Sequence, residues 1–490
     1  CHSKSDNIYR IEQDQVYDGQ KYHVNVTPWP CVPSWIEEIP EVIDATRAGS
    51  VGGRSFRYGE NSFVENNVIA VDPSFFTIFD FKLLRGDANS VLEDPFSVIL
   101  AEKTAAKYFG EKDPIGEVLS VDAQFDLTVS GVMEQAPRNT SFAPAMVVSI
   151  EFAKALGDYS ESWGNNSIRS YALLIDNADL NEVNRKLTEV VNNHRDDESL
   201  TTYMANLFTR VHLHGYFGFS NNAQAVTRLY IFAIIAGFVL LIASINFMNL
   251  STARSANRAR EIGIRKVVGA YRKDLILQFL GESLLLTFFA VILSVAMIYF
   301  LLPIFNSISG KMLSTSVLLQ PNFILGVIIV TLVTGLFSGS YPAFFLSAYR
   351  PVNVLKGNTT QGSNQTLRKA LVILQFTLSI TLIIATIVIH QQLNFSKSKD
   401  LGFDKENVIA VNINGDKRLK YEALSQELLQ YPQILGITAS SHRPTNIGSN
   451  SGGADWQGKD PDQSLIVSMS SVDYDYTETL KIPIAEGRSF

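Results

Sequence analysis

The sequence predicts an α+β membrane protein, with mixed α/β domains outside the membrane joined to transmembrane α-helices. Residues 229–250, 284–302, 323–346 and 370–389 are apolar and uncharged over about the ~20 positions that a bilayer-spanning helix needs. Charged residues make up only 18% of the 490, fewer than the roughly 25% of a soluble protein. The remaining stretches mix strand-like and helix-like periodicity, so part of the chain lives in lipid and part folds in water.

Residues 1–228 read as the first exterior domain, with an inserted subdomain over about 88–160. Residues 67–71, 97–100 and 127–132 are β-rich, whereas 102–109 and 180–193 repeat their apolar positions at helical spacing. Asp113-Pro114-Ile115-Gly116 and Ala136-Pro137-Arg138-Asn139 supply turns between them. Residues 229–346 hold three spans and 347–369 form a polar cytoplasmic linker; 370–392 are a fourth span, and 393–490 begin a second exterior domain.

Orientation follows from basic residues near the span ends, which resist translocation. Arg254, Arg258, Arg260, Arg265, Lys266, Arg272 and Lys273 place the first loop in the cytoplasm. The next loop carries only Lys311, and the third carries Arg350, Lys356, Arg368 and Lys369 with no acid. Residues 1–228 are therefore expected outside, which calls for a transmembrane helix upstream of Cys1.

The formal net charge of −7 excludes a general nucleic-acid binder, which needs a basic face. Cys1 and Cys31 are too few for a disulfide framework or a zinc site. His212-x-His214 lacks further ligands and reads as a turn after a strand; neither a metalloprotease nor a serine-hydrolase motif occurs. Glu282 at a span edge and Asn246 and Asn249 within a span read as interfacial or interhelical polar groups.

An internal repeat is visible. Val71-Asp72-Pro73-Ser74-Phe75, followed by Phe79, Phe81 and Gly86, recurs 401 positions later as Val472-Asp473-Tyr474-Asp475-Tyr476, with Leu480, Ile482 and Gly487. Shorter echoes match residues 6–11 with 406–411 and 40–42 with 432–434.

The segment from Arg254 to Leu286 forms an amphipathic cytoplasmic helix over about 254–268. Ile264, Val268, Tyr271 and Leu275 recur at helical spacing, and Glu261 stands four residues before Arg265 as a favourable ion pair. Gly269 suits the left-handed residue that ends such a helix.

This segment resembles the signature of FtsX-like permeases, and the flanking exterior region is similar to that of the MacB-type, mechanotransmission exporters. Ala101-Glu102-Lys103-Thr104-Ala105, Phe109-Gly110, Asp113 to Gly116 and Val129-Ser130-Gly131-Val132 carry the exterior resemblance. Tyr349-Arg350-Pro351 and Val354-Leu355-Lys356-Gly357 resemble the linker of duplicated, eight-span members.

The resemblance implies a non-catalytic ABC transporter permease in a bacterial inner membrane, driven by a cytoplasmic ATPase dimer that binds ATP and Mg. No cofactor is expected in this chain, which lacks the phosphate-binding Gly-x-x-x-x-Gly-Lys-Ser/Thr. The expected ATPase-coupling helix comprises Arg254, Arg258, Arg260, Glu261, Gly263, Arg265, Lys266 and Gly269. Membrane lipid, a periplasmic adaptor and an outer-membrane channel are the other expected partners. Export or extraction of a peptide, macrolide or lipoprotein is the leading role; the alternative is an FtsX-like scaffold that activates a cell-wall hydrolase or sensor kinase.

Overall fold

The computed structural model describes all residues except 1, 18, 88–89, 137–139, 141, 196–200, 216–223, 348–361, 414–419, 453, 461–464 and 490. Two compact units result: residues 1–228 with 400–490, and residues 229–399.

In the first unit, the hairpin β1 (Ile8–Tyr17) and β2 (Gln20–Val24) leads through β3 (Thr27–Pro28) to helix α1 (Cys31–Glu38). Next come β4 (Val42–Ser50), β5 (Arg54–Tyr58), β6 (Asn61–Glu65), β7 (Val68–Val71), α2 (Phe75–Ile78) and β8 (Leu83–Arg85). They are followed by β9 (Ser97–Ala101), α3 (Glu102–Phe109), β10 (Val118–Val121), β11 (Phe125–Met133), β12 (Met146–Ser149) and α4 (Ile150–Ala155). The chain returns through β13 (Asn166–Leu174), α5 (Leu180–Asn193), β14 (Thr202–Leu207) and α6 (Phe208–His214).

The strands form one 14-stranded mixed sheet in the order β14-β1-β13-β4-β7-β12-β9-β11-β10-β5-β6, with β2 beside β1, β3 beside β13 and β8 beside β11. β9 to β12 thus continue the sheet that β1, β4 and β7 begin. β5 and β6 leave β4 and reach the far edge, where Arg57 pairs with Ser120.

Local chemistry explains the helices. Asp179 caps α5 by accepting the Asn181 N–H at 3.0 Å, and Val183, Leu187, Val190 and Val191 bury one face of it. They join Trp35, Ile11 and Tyr203 in a core between α1, α5 and the sheet. Phe75, Phe79, Phe142 and Tyr171 pack edge to face beneath α2. His212 and His214 lie on α6, so the turn expected there is a helix instead. The Val211-x-x-His214 turn of backbone keeps Val211 buried and leaves both histidines exposed.

Among the described residues, four helices are long and apolar enough to cross a membrane: α7 (Gln224–Val267), α8 (Arg272–Ser309), α9 (Pro321–Leu346) and α10 (Gly362–Ser398). Each of α7, α8 and α10 outruns its apolar stretch, because flanking Arg, Lys, Gln and Glu are themselves good helix formers. Residues 362–369, expected in the linker, are the first turns of α10.

α8 and α9 cross closely where Gly335 and Gly339 face Leu284 and Ser283. A Cβ on Gly339 would stand 2.7 Å from the Ser283 Cβ, whereas one on Gly335 would meet the movable Leu284 Cδ2 at 2.7 Å. Gly339→Ala is expected to cost roughly 1–3 kcal/mol in this packing and Gly335→Ala less. Cysteine crosslinking between the two helices measures it; equal effects at both positions would refute the crossing.

Residues 400–490 contain α11 (Tyr421–Leu428), β15 (Asn450–Ser451), β16 (Val467–Ser468) and α12 (Tyr476–Thr479). Around the two Val-Asp anchors a few backbone features are alike. Ala48 pairs antiparallel with Val71, and Ser440 pairs antiparallel with Val472, the counterpart of Val71 in the sequence echo. The Phe75 N–H donates to the Asp72 carbonyl at 3.0 Å, and Tyr476 does the same to Asp473 at 3.1 Å. Gly86 and Gly487 both take left-handed backbone, with φ of 91° and 89°.

The echo at residues 406–411 differs. Residues 7–11 enter β1, held by β13, β14 and β2, whereas residues 408–411 join no strand, since no described residue of 400–490 supplies such neighbours.

Candidate functional site

The basic segment folds as a helical hairpin. α7 runs through the first span without interruption to Val267, so the cytoplasmic helix expected over 254–268 is the continuation of a membrane helix. It ends in a Schellman turn: Ala270 N–H donates to the Arg265 carbonyl at 3.0 Å and Gly269 N–H to the Lys266 carbonyl at 3.2 Å. Gly269 takes φ of 107°, which glycine adopts without a Cβ penalty. Tyr271 then caps α8 with extended backbone.

The hairpin is pinned from inside by Ile262, Leu275, Phe279 and Ala343, which bring α7, α8 and α9 together. Polar bonds surround this apolar contact. Arg265 pairs with Glu261 at 2.6 Å and donates to Gln278 Oε1 at 3.1 Å, and Gln278 donates on to Glu282 at 3.1 Å. Lys266 Nζ donates to the Ser347 carbonyl at 2.6 Å, and Arg272 Nε to Ser347 Oγ at 3.4 Å. Lys266 and Arg272 thereby hold the end of α9.

Two faces result. Ile262 and Gly263 point inward. Of the apolar stripe read from the sequence, Leu275 is buried, but Ile264, Val268 and Tyr271 are 51%, 82% and 71% exposed, and Val267 beside them is 65% exposed. Arg254, Arg258 and Arg260 lie on the α7 backbone, with side chains outside the described residues. Glu282, expected at the span edge, is an acceptor on α8. The Lys266 and Arg272 bonds to Ser347 escaped sequence reading, because a carbonyl at the end of a distant helix leaves no mark in the local pattern.

The FtsX-like permease C-terminal family matches residues 233–351, which take in the hairpin and three spans. The MacB-like periplasmic core domain family matches residues 2–190. Together they account for more than half of the chain. It belongs to the MacB- and FtsX-like ABC transporter permeases.

The permease is 27% identical over 260 residues to the macrolide export ATP-binding/permease protein MacB of Bdellovibrio bacteriovorus, covering 53% of this chain and 38% of that protein. It is 24% identical over 327 residues to the ABC transporter permease YknZ of Bacillus subtilis, covering 66% of this chain and 76% of the relative. A solved permease-protein domain from Porphyromonas gingivalis aligns with 42% of the permease and 92% of that domain, at 21% identity and a TM-score of 0.39. The match to residues 2–190 marks that region of the permease as extracytoplasmic.

Proposed function

We propose that the α7–α8 hairpin is the docking element through which a separate cytoplasmic ABC ATPase moves the exterior domains, for export or extraction of a substrate of the peptide, macrolide or lipoprotein class. The observation that carries this reading is the solvent-facing apolar stripe of Ile264, Val267, Val268 and Tyr271, flanked by Glu261, Arg265 and Lys273. Exposed aliphatic and aromatic side chains at a tight helical turn fit a groove on a partner, and adjacent charges set its register. ATP and Mg would reside in that partner, and no atom of this chain is assigned to nucleotide chemistry. A periplasmic adaptor and an outer-membrane channel are further proposed partners.

Gly263 is a poor place to test docking, since it faces inward and a Trp there would disrupt the helix contacts. Val268→Asp leaves those contacts intact, and Glu261→Lys keeps the apolar contact while removing the exposed ion pair to Arg265. Val268→Asp is expected to weaken co-purification with the ATPase by roughly 30-fold, about 2 kcal/mol, and to abolish permease-stimulated ATP hydrolysis. Glu261→Lys, which sets two like charges beside one another, is expected to act in the same direction. Wild-type values for both variants would leave the hairpin as a surface that rests on lipid headgroups.

A further inference from the structure

A row of ionisable side chains lies buried in the exterior domain, on the face of β1 shared by Arg10, Glu12 and Asp14. Their fractional exposures are 2%, 1% and 6%. β2 pairs with β1 in a register that sets His23 opposite Asp14. The His23 ring lies between two carboxylates: Nδ1 is 2.6 Å from Asp14 Oδ1, and Nε2 is 2.8 Å from Glu12 Oε2.

This geometry constrains the proton count. An ionised carboxylate only accepts hydrogen bonds, and neutral imidazole has a single N–H. Both contacts are satisfied when the ring carries two protons and is cationic; a neutral ring would turn one lone pair toward a carboxylate. The remaining valences are also filled. Arg10 Nε donates to Glu12 Oε1 at 2.7 Å, Asn206 of β14 donates to Glu12 Oε2 at 3.1 Å, and Lys21 pairs with Asp14. Arg10 also bonds the Tyr171 side chain of β13.

We propose that Glu12, His23 and Asp14 form a proton-binding site that fastens β2 to β1, and that loss of this proton at alkaline external pH releases β2 from the sheet. Nothing in the docking of an ATPase requires this site, and its ligand is the proton itself.

Burial works against a charged His23, but the hydrogen bonds it donates to Glu12 and Asp14 outweigh it and hold the imidazole above its ordinary 6.5. The stabilisation is therefore complete below 6.5 and is lost as pH rises through the folded value. Burial likewise pushes Glu12 up, yet its bonds to His23 and Arg10 win and keep it below its ordinary 4.5. That share is present above 4.5 and lost as pH falls through the folded value. The site is closed between these two limits and opens on the alkaline side by deprotonation of His23.

The test is hydrogen exchange on the full chain in detergent micelles, from about pH 6 to about pH 9.5, with intrinsic exchange rates divided out. Peptides covering β2 are expected to show opening that rises roughly tenfold for each unit by which the carboxylates raise His23. In His23→Gln the rise should disappear. Asp14→Asn, which keeps the imidazole but removes one carboxylate charge, should move the midpoint to lower pH. A flat wild-type profile, an unchanged rise in His23→Gln, or an unshifted midpoint in Asp14→Asn would each overturn the proposal. If His23→Gln does not fold, the Asp14→Asn midpoint decides it alone.

Discussion

Replacing Asp72 by Ala is expected to destabilise the exterior domain by about 3–5 kcal/mol, because it strands a buried guanidinium. Arg47 donates to Asp72 through Nη2 at 2.6 Å and Nε at 2.9 Å, and its backbone N–H reaches the same carboxylate at 2.7 Å. The pair ties β4 to the turn after β7. Arg47 has one further acceptor, the Trp29 carbonyl at 3.2 Å, which does not neutralise charge.

The repeat provides the control. Asp473 occupies the place of Asp72, but Ala439 stands where Arg47 does, and the carboxylate accepts the Tyr421 hydroxyl at 3.0 Å. The Asp473 carboxylate also accepts the Tyr474 N–H at 2.9 Å, so Asp473→Ala should cost about 1–3 kcal/mol, the worth of two hydrogen bonds with no buried cation left behind. Hydrogen exchange of β4 and β7 in one variant, and of residues 438–473 in the other, measures both. Equal losses would contradict the assignment of the large effect to Arg47.

Trp35→Ala should be of similar size, about 3–5 kcal/mol. The indole of α1 is fully buried, meets Tyr203 edge to face at 5.9 Å between centroids and donates through Nε1 to the Leu187 carbonyl at 3.3 Å. Its removal opens a cavity between α1 and α5 and leaves that carbonyl short of a donor. Trp35→Phe should recover part of the loss by refilling the apolar volume without the N–H. Protection of α1 and α5 amides against exchange is the measurement. An Ala variant as protected as the wild type would show that the helices collapse over the gap.

What the sequence reveals divides along physical lines. α3 and α5 coincide with the stretches read from helical spacing, since an amphipathic helix writes its buried face into the local pattern. The four spans are legible because runs of about 20 apolar residues stand out along the chain, although their ends are not: charge marks where lipid stops, and helix propensity carries the backbone further. The Glu261–Arg265 pair was readable from its spacing. Sheet order was not, because no local pattern tells β5 to cross to the edge beside β10. The buried charges of β1 did leave a trace. Arg10, Glu12 and Asp14 alternate along a strand beginning Ile8-Tyr9, followed by a turn at Gly19 and then His23, a pattern of polar residues on a face that ends up covered. Such alternation ordinarily belongs to a solvent-facing side, so the pattern alone does not disclose that this face is covered.

The continuity of α7 has a kinematic consequence. Its 44 residues extend about 66 Å, roughly twice the ~30 Å thickness of the hydrocarbon layer. The backbone passes from the apolar span to the Schellman turn with no proline and no 3-10 segment, so there is no hinge at the membrane surface. A push delivered at Gly269 has nowhere to be absorbed along the way. Under the proposed docking, such a push would reappear at the opposite end of the rod as tilt, axial rotation or piston travel of one unbroken helix.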